Sequence, residues 1–247
     1  MTDQVPILNL GTKYIYGMQL SWLTTSTISV AAGGTRDSTN TIDMQNSSAF
    51  TLNILATGYL GLDTSAVAAS TFYAVYAIGD STQNNPNGYC FSASFTEPVL
   101  PFGYDSWHRI GAVLTDSSKN ILKFWQYGTD GKRTMYYDIN VAAPTTTAST
   151  SYATISLATS VPPITAEAIM NVHYTANSAT NIASFIPYGS TATNGIVVFG
   201  YGVAAEQQGM LTIQTQLNVA APSFQFKTTS ASDTLVMATA GYIDHVL

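Results

Sequence analysis

Large apolar residues recur at every second position along much of this chain. Phe50, Leu52 and Ile54 alternate with Thr51 and Asn53, and Met170, Val172 and Tyr174 alternate with Asn171 and His173. A period of two places one face of an extended strand on a core and the other in solvent. The same pattern predicts a strand within 19–34 (QLSWLTTSTISVAAGG), ended by Gly33-Gly34. It predicts another at 210–219, where Leu211, Ile213 and Leu217 oppose Gln214 and Gln216. Residues 71–79 (TFYAVYAIG) are aromatic or β-branched on both faces, which predicts a central strand.

Residues 109–114 and 121–127 read as a pair of strands joined by the polar turn 115–120 (TDSSKN). Shorter runs at 89–95, 184–187, 196–201, 224–227 and 235–238 complete a series spaced at roughly 8–12 residues, with no amphipathic helix longer than two turns. The expected fold is all-β: a β-sandwich or jelly-roll-like domain of roughly ten to fourteen antiparallel strands. Residues 1–16 are expected to form an N-terminal arm or edge strand that serves as an attachment segment, and 17–247 the sandwich domain. A candidate sub-boundary lies near 139–163, where Thr, Ser and Ala prevail and Pro162-Pro163 interrupts any ladder.

Composition changes what such a sandwich is expected to meet. Charged residues are 9% of the chain, against roughly 25% in ordinary soluble domains. A surface so poor in charge suits a chain that lies against copies of itself or a larger particle. The net charge of −6 and the absence of a basic stripe argue against nucleic acid as a partner. There is no apolar run of ~18 residues to insert in a membrane, and the start MTDQVPILNL lacks the form of a signal peptide. The chain is therefore expected to be made and assembled in a cytoplasm.

Candidate chemistry is sparse. His108, His173 and His245 are far apart, without metal-ligand spacing. No GxSxG elbow, P-loop or GxGxxG occurs, and Cys90 stands alone among aromatics, as a buried small hydrophobe does. The loop 80–88 (DSTQNNPNG) lacks the spaced carboxylates of a calcium loop. The expectation is no catalytic residue, no cofactor and no metal. Asp37, Ser38 and Asn40 form a turn held by its own side chains, and Arg36 is expected to pair with the adjacent Asp37 or across a subunit boundary. Arg109 is expected to lead a core strand held by Asp37 or Asp116, with Lys119, Lys132 and Arg133 in turns facing solvent or a neighbour. A sugar surface would draw on Asn85, Tyr89, Trp107, His108 and Tyr188, since aromatic faces stack on pyranose rings; the simpler expectation is that these aromatics are core.

Three segments in order, ISVAAGGTRDSTNTIDM (28–44), LGLDTSAVAASTFYAVYAIGDS (60–81) and LPFGYDSWHRIGAVLTDSSKNILKFWQYG (100–128), resemble a family of tailed-bacteriophage virion structural proteins, as does the closing ATAGYIDHVL. The residues carrying the resemblance are Arg36, Asp37, Asn40, Asp63, Tyr73, Tyr76, Gly103, Tyr104, Arg109, Gly111 and Asp116. Ser65 and Lys119 stand where the family has glycine, and His108 where arginine is common. The resemblance implies a virion component on the tail or head, a tail fibre, head fibre or decoration protein. It further implies a homotrimer with other phage tail or capsid proteins as partners and no catalytic site. A receptor-binding adhesin for host cell-surface glycans and a polysaccharide depolymerase are the alternatives.

Overall fold

The alternating runs form strands, and every ladder between named strands is antiparallel. The computed structural model describes residues 14–128, 131–142, 146–164, 167–178, 180–193, 195–199, 206–218 and 221–246. Among these are twenty strands in four sheets and no helix. The largest sheet runs in the order β17 (Glu206–Gln214), β14 (Glu167–Thr175), β20 (Thr234–His245), β11 (Lys132–Ala142), β10 (Phe124–Tyr127), β2 (Leu20–Trp22), β3 (Thr27–Val30) and β6 (Phe50–Asn53). The short β12 (Thr146–Thr147) is also paired to β20. A five-stranded sheet orders β13 (Ala153–Ser156), β19 (Ala221–Thr228), β15 (Ala183–Pro187) and β16 (Ile196–Phe199), with β18 (Gln216–Asn218) also on β19. Two three-stranded sheets complete the fold: β8 (Gly88–Ser92), β7 (Phe72–Gly79), β9 (Ser106–Leu114), and β1 (Ile15–Gly17), β4 (Gly33–Arg36), β5 (Asp43–Asn46).

All four sheets feed one apolar core, to which Met44, Val75, Ile28, Tyr242, Phe185 and Phe224 contribute from different sheets. The fold is thus an all-β sandwich. As its two-sided apolar pattern requires, β7 is buried along its whole length and central in its sheet. Its second face, Ala74, Tyr76 and Ile78, packs with Cys90 under Phe95, Leu100, Tyr104 and Trp107.

Several boundaries differ from expectation, each for a local reason. The run 19–34 is not one strand: Thr24 Oγ1 accepts from the amides of Ser26 and Thr27 and closes a turn between β2 and β3. Gly33 and Gly34 do not end a strand but open β4. A Cβ on Gly33 would lie 2.3 Å from the Tyr16 carbonyl oxygen, and one on Gly34 2.8 Å from the Tyr16 ring. Splitting of this kind raises the strand count above fourteen. Residues 109–114 and 121–127 are not a hairpin: they meet at a single bridge, Thr115 to Ile121, after which β9 stays on β7 while β10 joins β2 and β11. Of the expected N-terminal arm, 1–13 lies outside the described residues, and Ile15 to Gly17 is an edge strand paired to β4.

Arg133 is the largest correction. It does not sit in a solvent-facing turn but in β11 with 1% of its surface exposed. Gly17 and Met18 take left-handed backbone (φ 59° and 52°) as the chain passes from β1 to β2. The Arg133 guanidinium donates to the carbonyls of both, at 2.6 and 2.7 Å, and approaches Gln126 Oε1, which also accepts from the Leu20 amide at 2.7 Å. One planar cation thereby satisfies a link that no ladder serves. Lys132, also in β11 and not in a turn, is exposed and bonded to Glu167 at 3.2 Å. Arg133→Met keeps the bulk but strips both carbonyls of their donors, each costing about 1–3 kcal/mol. The urea midpoint should fall by an amount corresponding to about 2–4 kcal/mol; an unchanged midpoint would show that the link is satisfied some other way.

Candidate functional site

The residues quoted for the resemblance lie around the β8-β7-β9 sheet: the Asp37 loop, Gly103 and Tyr104 at its Gly79/Ser106 end, Tyr73 and Asp116 at its Phe72/Leu114 end, and Arg109 between them, where β9 meets the end of β20. Arg109 is held there by Asp244 through two parallel hydrogen bonds, one of them Nη2 to Oδ1 at 2.9 Å and the other between Nη1 and Oδ2. The partner is neither Asp37 nor Asp116. Asp244 is 2% exposed, and Arg109 is the cross-strand partner of Tyr76. Burial works against the guanidinium charge, but the facing Asp244 carboxylate outweighs it and raises the Arg109 pKa. Beside this pair, His108 Nε2 lies 2.9 Å from the Val246 carbonyl, which can only accept, so the proton is on Nε2. The Val246 amide donates to the Gly131 carbonyl at 2.9 Å, so residues 244–246 are fixed from both sides.

Asp37 and Asp116 are unavailable to Arg109 because each is already enclosed by its own loop. Three loops share one construction: Asp37-Ser38-Thr39-Asn40, Asp80-Ser81-Thr82-Gln83 and Asp116-Ser117-Ser118-Lys119. In each, the aspartate carboxylate accepts from the amide two residues on (Thr39, Thr82, Ser118, 2.7–3.0 Å) and four residues on (Thr41, Asn84, Asn120, 2.6–3.1 Å). The aspartate carbonyl accepts from the amide three residues on, at 2.9–3.1 Å. That third residue is left-handed every time: Asn40 φ 63°, Gln83 φ 59°, Lys119 φ 68°. Burial raises the carboxyl pKa of Asp37 and Asp116, but the converging donors outweigh it and leave both below the usual value. At Asp80 the Thr82 hydroxyl and its fellow donors lower it to about 2. The 80–88 loop uses its carboxylate on its own amides, which is a turn and not a cation cradle. Among the described residues no group of three His, Cys, Asp or Glu could hold a metal ion.

The other motif residues also have intrachain tasks. Asp63 accepts from the amides of Thr64 and Val99 at 2.7 and 2.9 Å. The Tyr73 hydroxyl accepts from the Ala68 amide at 2.7 Å, and the Tyr76 hydroxyl donates to the Ser94 carbonyl at 3.1 Å. Gly103 (φ 87°) lets the 101–104 turn close, and Tyr104 donates to the Pro86 carbonyl while stacking on Tyr59. A Cβ on Gly111 would meet Leu20 at 2.8 Å. Arg36 contacts Asp43, its cross-strand partner, at 3.2 Å and not the adjacent Asp37. Ser65, at a glycine position of the family, has φ 68°. Ser65 and Lys119 therefore keep the glycine conformation without the glycine.

The five residues considered for sugar contact do not form one surface. Tyr89 is fully buried in the core and His108 is 8% exposed, so neither offers a ring face. Asn85 lines a cleft of about 470 Å³ between the Asp37 and Asp80 loops, its amide bonded to Asp80 and to the Gly103 carbonyl. Trp107 and His108 are brought together, lining a separate cleft of about 350 Å³ with Ser38, Tyr76 and Arg109. Tyr188 follows β15 in the five-stranded sheet. The aromatic surface that the pattern did not flag lies on β10, where Trp125 and Tyr127 are 42% and 56% exposed. Tyr127 meets Tyr136 of β11 edge-on at 6.1 Å, and Lys123 Nζ lies 5.0 Å from the Trp125 ring. The W-Q-Y spacing, two aromatics on one strand face, is the signal that could have found it. Asp244 was missed because nothing in the sequence joins it to Arg109, 135 residues away. Burial pushes the Cys90 thiol up to about 12, so it stays protonated at neutral pH.

No family model and no curated protein matches the chain. Among solved structures it is similar to a Bacillus thuringiensis Cry1Da tryptic core variant, at 8% identity and TM-score 0.26 over 93% of this chain and 51% of that one. It is also similar to the infectious bursal disease virus Gx strain structure (13% identity, TM-score 0.23, 94% of this chain and 68% of that one). A third is the VP2 subviral particle of the same virus (14%, 0.22, 94% and 67%). The chain spans about half the length of the first. Likenesses of this size define no shared function.

Two outcomes follow. Arg109→Ala leaves Asp244 buried and unpaired, at a cost of about 3–5 kcal/mol. Arg109→Ala with Asp244→Ala together should cost less than the two single changes summed, measured by urea unfolding; strict additivity would mean that the pair does not act as a unit. Lys119→Gly relieves a left-handed lysine, and its thermal midpoint should rise by an amount worth about 0.5–1 kcal/mol. A lower midpoint would show that the lysine side chain matters more than the backbone strain.

Proposed function

We propose that this chain is a non-enzymatic structural component of a tailed-bacteriophage virion, a homo-oligomeric β-sandwich attached to the tail or head and assembled in the host cytoplasm. One observation carries the reading. Nearly all the residues that resemble the virion family close loops or bridge strands within the chain, as the shared residues of a scaffold module do. Arg109 joins β9 to β20, the Asp37 and Asp116 loops cap strand ends, and Gly111 admits Leu20. The neutral surface supports the same reading, because a chain with 9% charged residues has little like-charge repulsion to keep copies apart. Attachment through other tail or capsid proteins follows from the resemblance, as does three-fold symmetry, which aligns three equivalent surfaces at no extra contact cost.

A second reading, an adhesin for host cell-surface glycans, is favoured by one feature: the exposed Trp125 and Tyr127 of β10, with half-buried Tyr136 of β11 beside them. These rings offer flat apolar faces beside the Lys123 ammonium and the Asp138 carboxylate, 3.5 Å apart. Both readings hold for one protein if the module is structural and its outer face binds sugar.

The chain should be found by mass spectrometry in purified particles at a constant copy number. Light scattering on the isolated chain should return a multiple of three 26.3 kDa units. A stable, dispersed monomer together with absence from particles would count decisively against the virion reading.

A further inference from the structure

A sheet edge is a row of unpaired backbone donors and acceptors, and folded chains cover, shorten or charge their edges to prevent pairing with another chain. Here β9 and β17 are both nine residues long, and among the described residues each is paired to one strand only. The β9 carbonyls find donors elsewhere: Trp107 from the Ser38 amide at 2.8 Å, Ala112 from the Tyr242 hydroxyl at 3.0 Å, Leu114 from the Leu122 amide at 2.8 Å. β17 (EQQGMLTIQ) is built the other way. It contains no proline and no lysine, and its nine-residue ladder with β14 runs without a bulge. The opposite end of the same sheet, β6, is only four residues long.

We infer that β17 is a subunit contact, pairing antiparallel with β17 of a second copy about a two-fold axis centred on Met210. The contact rests on the homo-oligomer reading above and names the surface that reading leaves open. The strand's own chemistry selects this occupant. Its single charged residue, Glu206, stands at one end, so antiparallel pairing of full overlap sets it opposite Gln214 of the second copy. Parallel pairing would set Glu206 against Glu206. Met210 is the middle residue and 62% exposed, a methionine that a monomer leaves in water and that the two-fold axis places against its own copy. The joined sheet runs continuously across two chains. With the three-fold arrangement proposed above, the closed assembly has six chains.

Met210→Lys tests this without touching the core. Two lysine side chains would then leave the pair from Cβ atoms about 5 Å apart, setting like charges on one patch. Expected by light scattering are an even number of chains for the wild type and half that mass for Met210→Lys, with circular dichroism and thermal midpoint unchanged. Met210→Glu should behave alike, and an equimolar mixture of the two variants should recover the wild-type mass, as opposite charges then meet. A trimer that ignores both substitutions overturns the β17 contact and leaves the homo-oligomer reading standing. A wild type of single-chain mass overturns both. Two charged variants that dissociate but recover nothing on mixing would also overturn the contact, because residue 210 would then act without facing itself.

Discussion

The fold depends on one buried ion pair. Arg109 belongs to the three-stranded sheet and Asp244 to the nine-stranded one, so their two parallel hydrogen bonds join units that backbone ladders do not connect. Burying either charge alone would cost several kcal/mol; burying them together is tolerable because the forked guanidinium satisfies the carboxylate from both sides. Geometry of this kind admits one arrangement. With Asp244 placed, Val246 can be gripped by His108 and Gly131, and the Tyr242 hydroxyl reaches the Ala112 carbonyl. The pair thus fixes how β20 crosses β9, and β20 in turn is flanked by β11, β12 and β14.

Arg133 solves a different problem with the same side chain. It brings two carbonyls in left-handed backbone under one cation, at a place where no strand could supply donors. The aspartates do the mirror-image task, collecting amides in three loops of the same design. Arg133 and the Asp37, Asp80 and Asp116 carboxylates thus serve the backbone and not a partner. The other charges are few, and surfaces with little charge associate readily.

The legible part of the fold was the part set by short-range periodicity. β7 was recognisable because both its faces are apolar, and β14 because Met170, Val172 and Tyr174 alternate with Asn171 and His173. Partnership was not legible. The segments 109–114 and 121–127 look like a hairpin from their turn chemistry, yet long-range pairing with β7 and β11 outweighs a six-residue turn. Charged residues were misread for a related reason: Arg133 follows a Gly-Lys dipeptide that reads as a turn, and only the fold shows two bare carbonyls facing it. The partner of Arg109 was guessed among nearby motif aspartates, which the loops had already enclosed. The local pattern offers Tyr89, a core ring, as a sugar contact and passes over Trp125, a surface one.

The position of β20 in the chain has a consequence for how the protein is made. β11 and β14 are complete long before residues 234–246 leave the ribosome, and both must wait for the strand that lies between them. Through that interval each presents a long edge, and Arg109 has a charge with no counter-ion. Nothing local can stand in, because the missing partner is more than a hundred residues downstream. Chain growth is slow relative to strand encounter, so the half-made protein spends seconds in this open condition. Neighbouring ribosomes on one message would hold several such chains close together. A cell producing this protein in quantity must keep those nascent edges apart until the last strand arrives, by chaperone capture or by spacing.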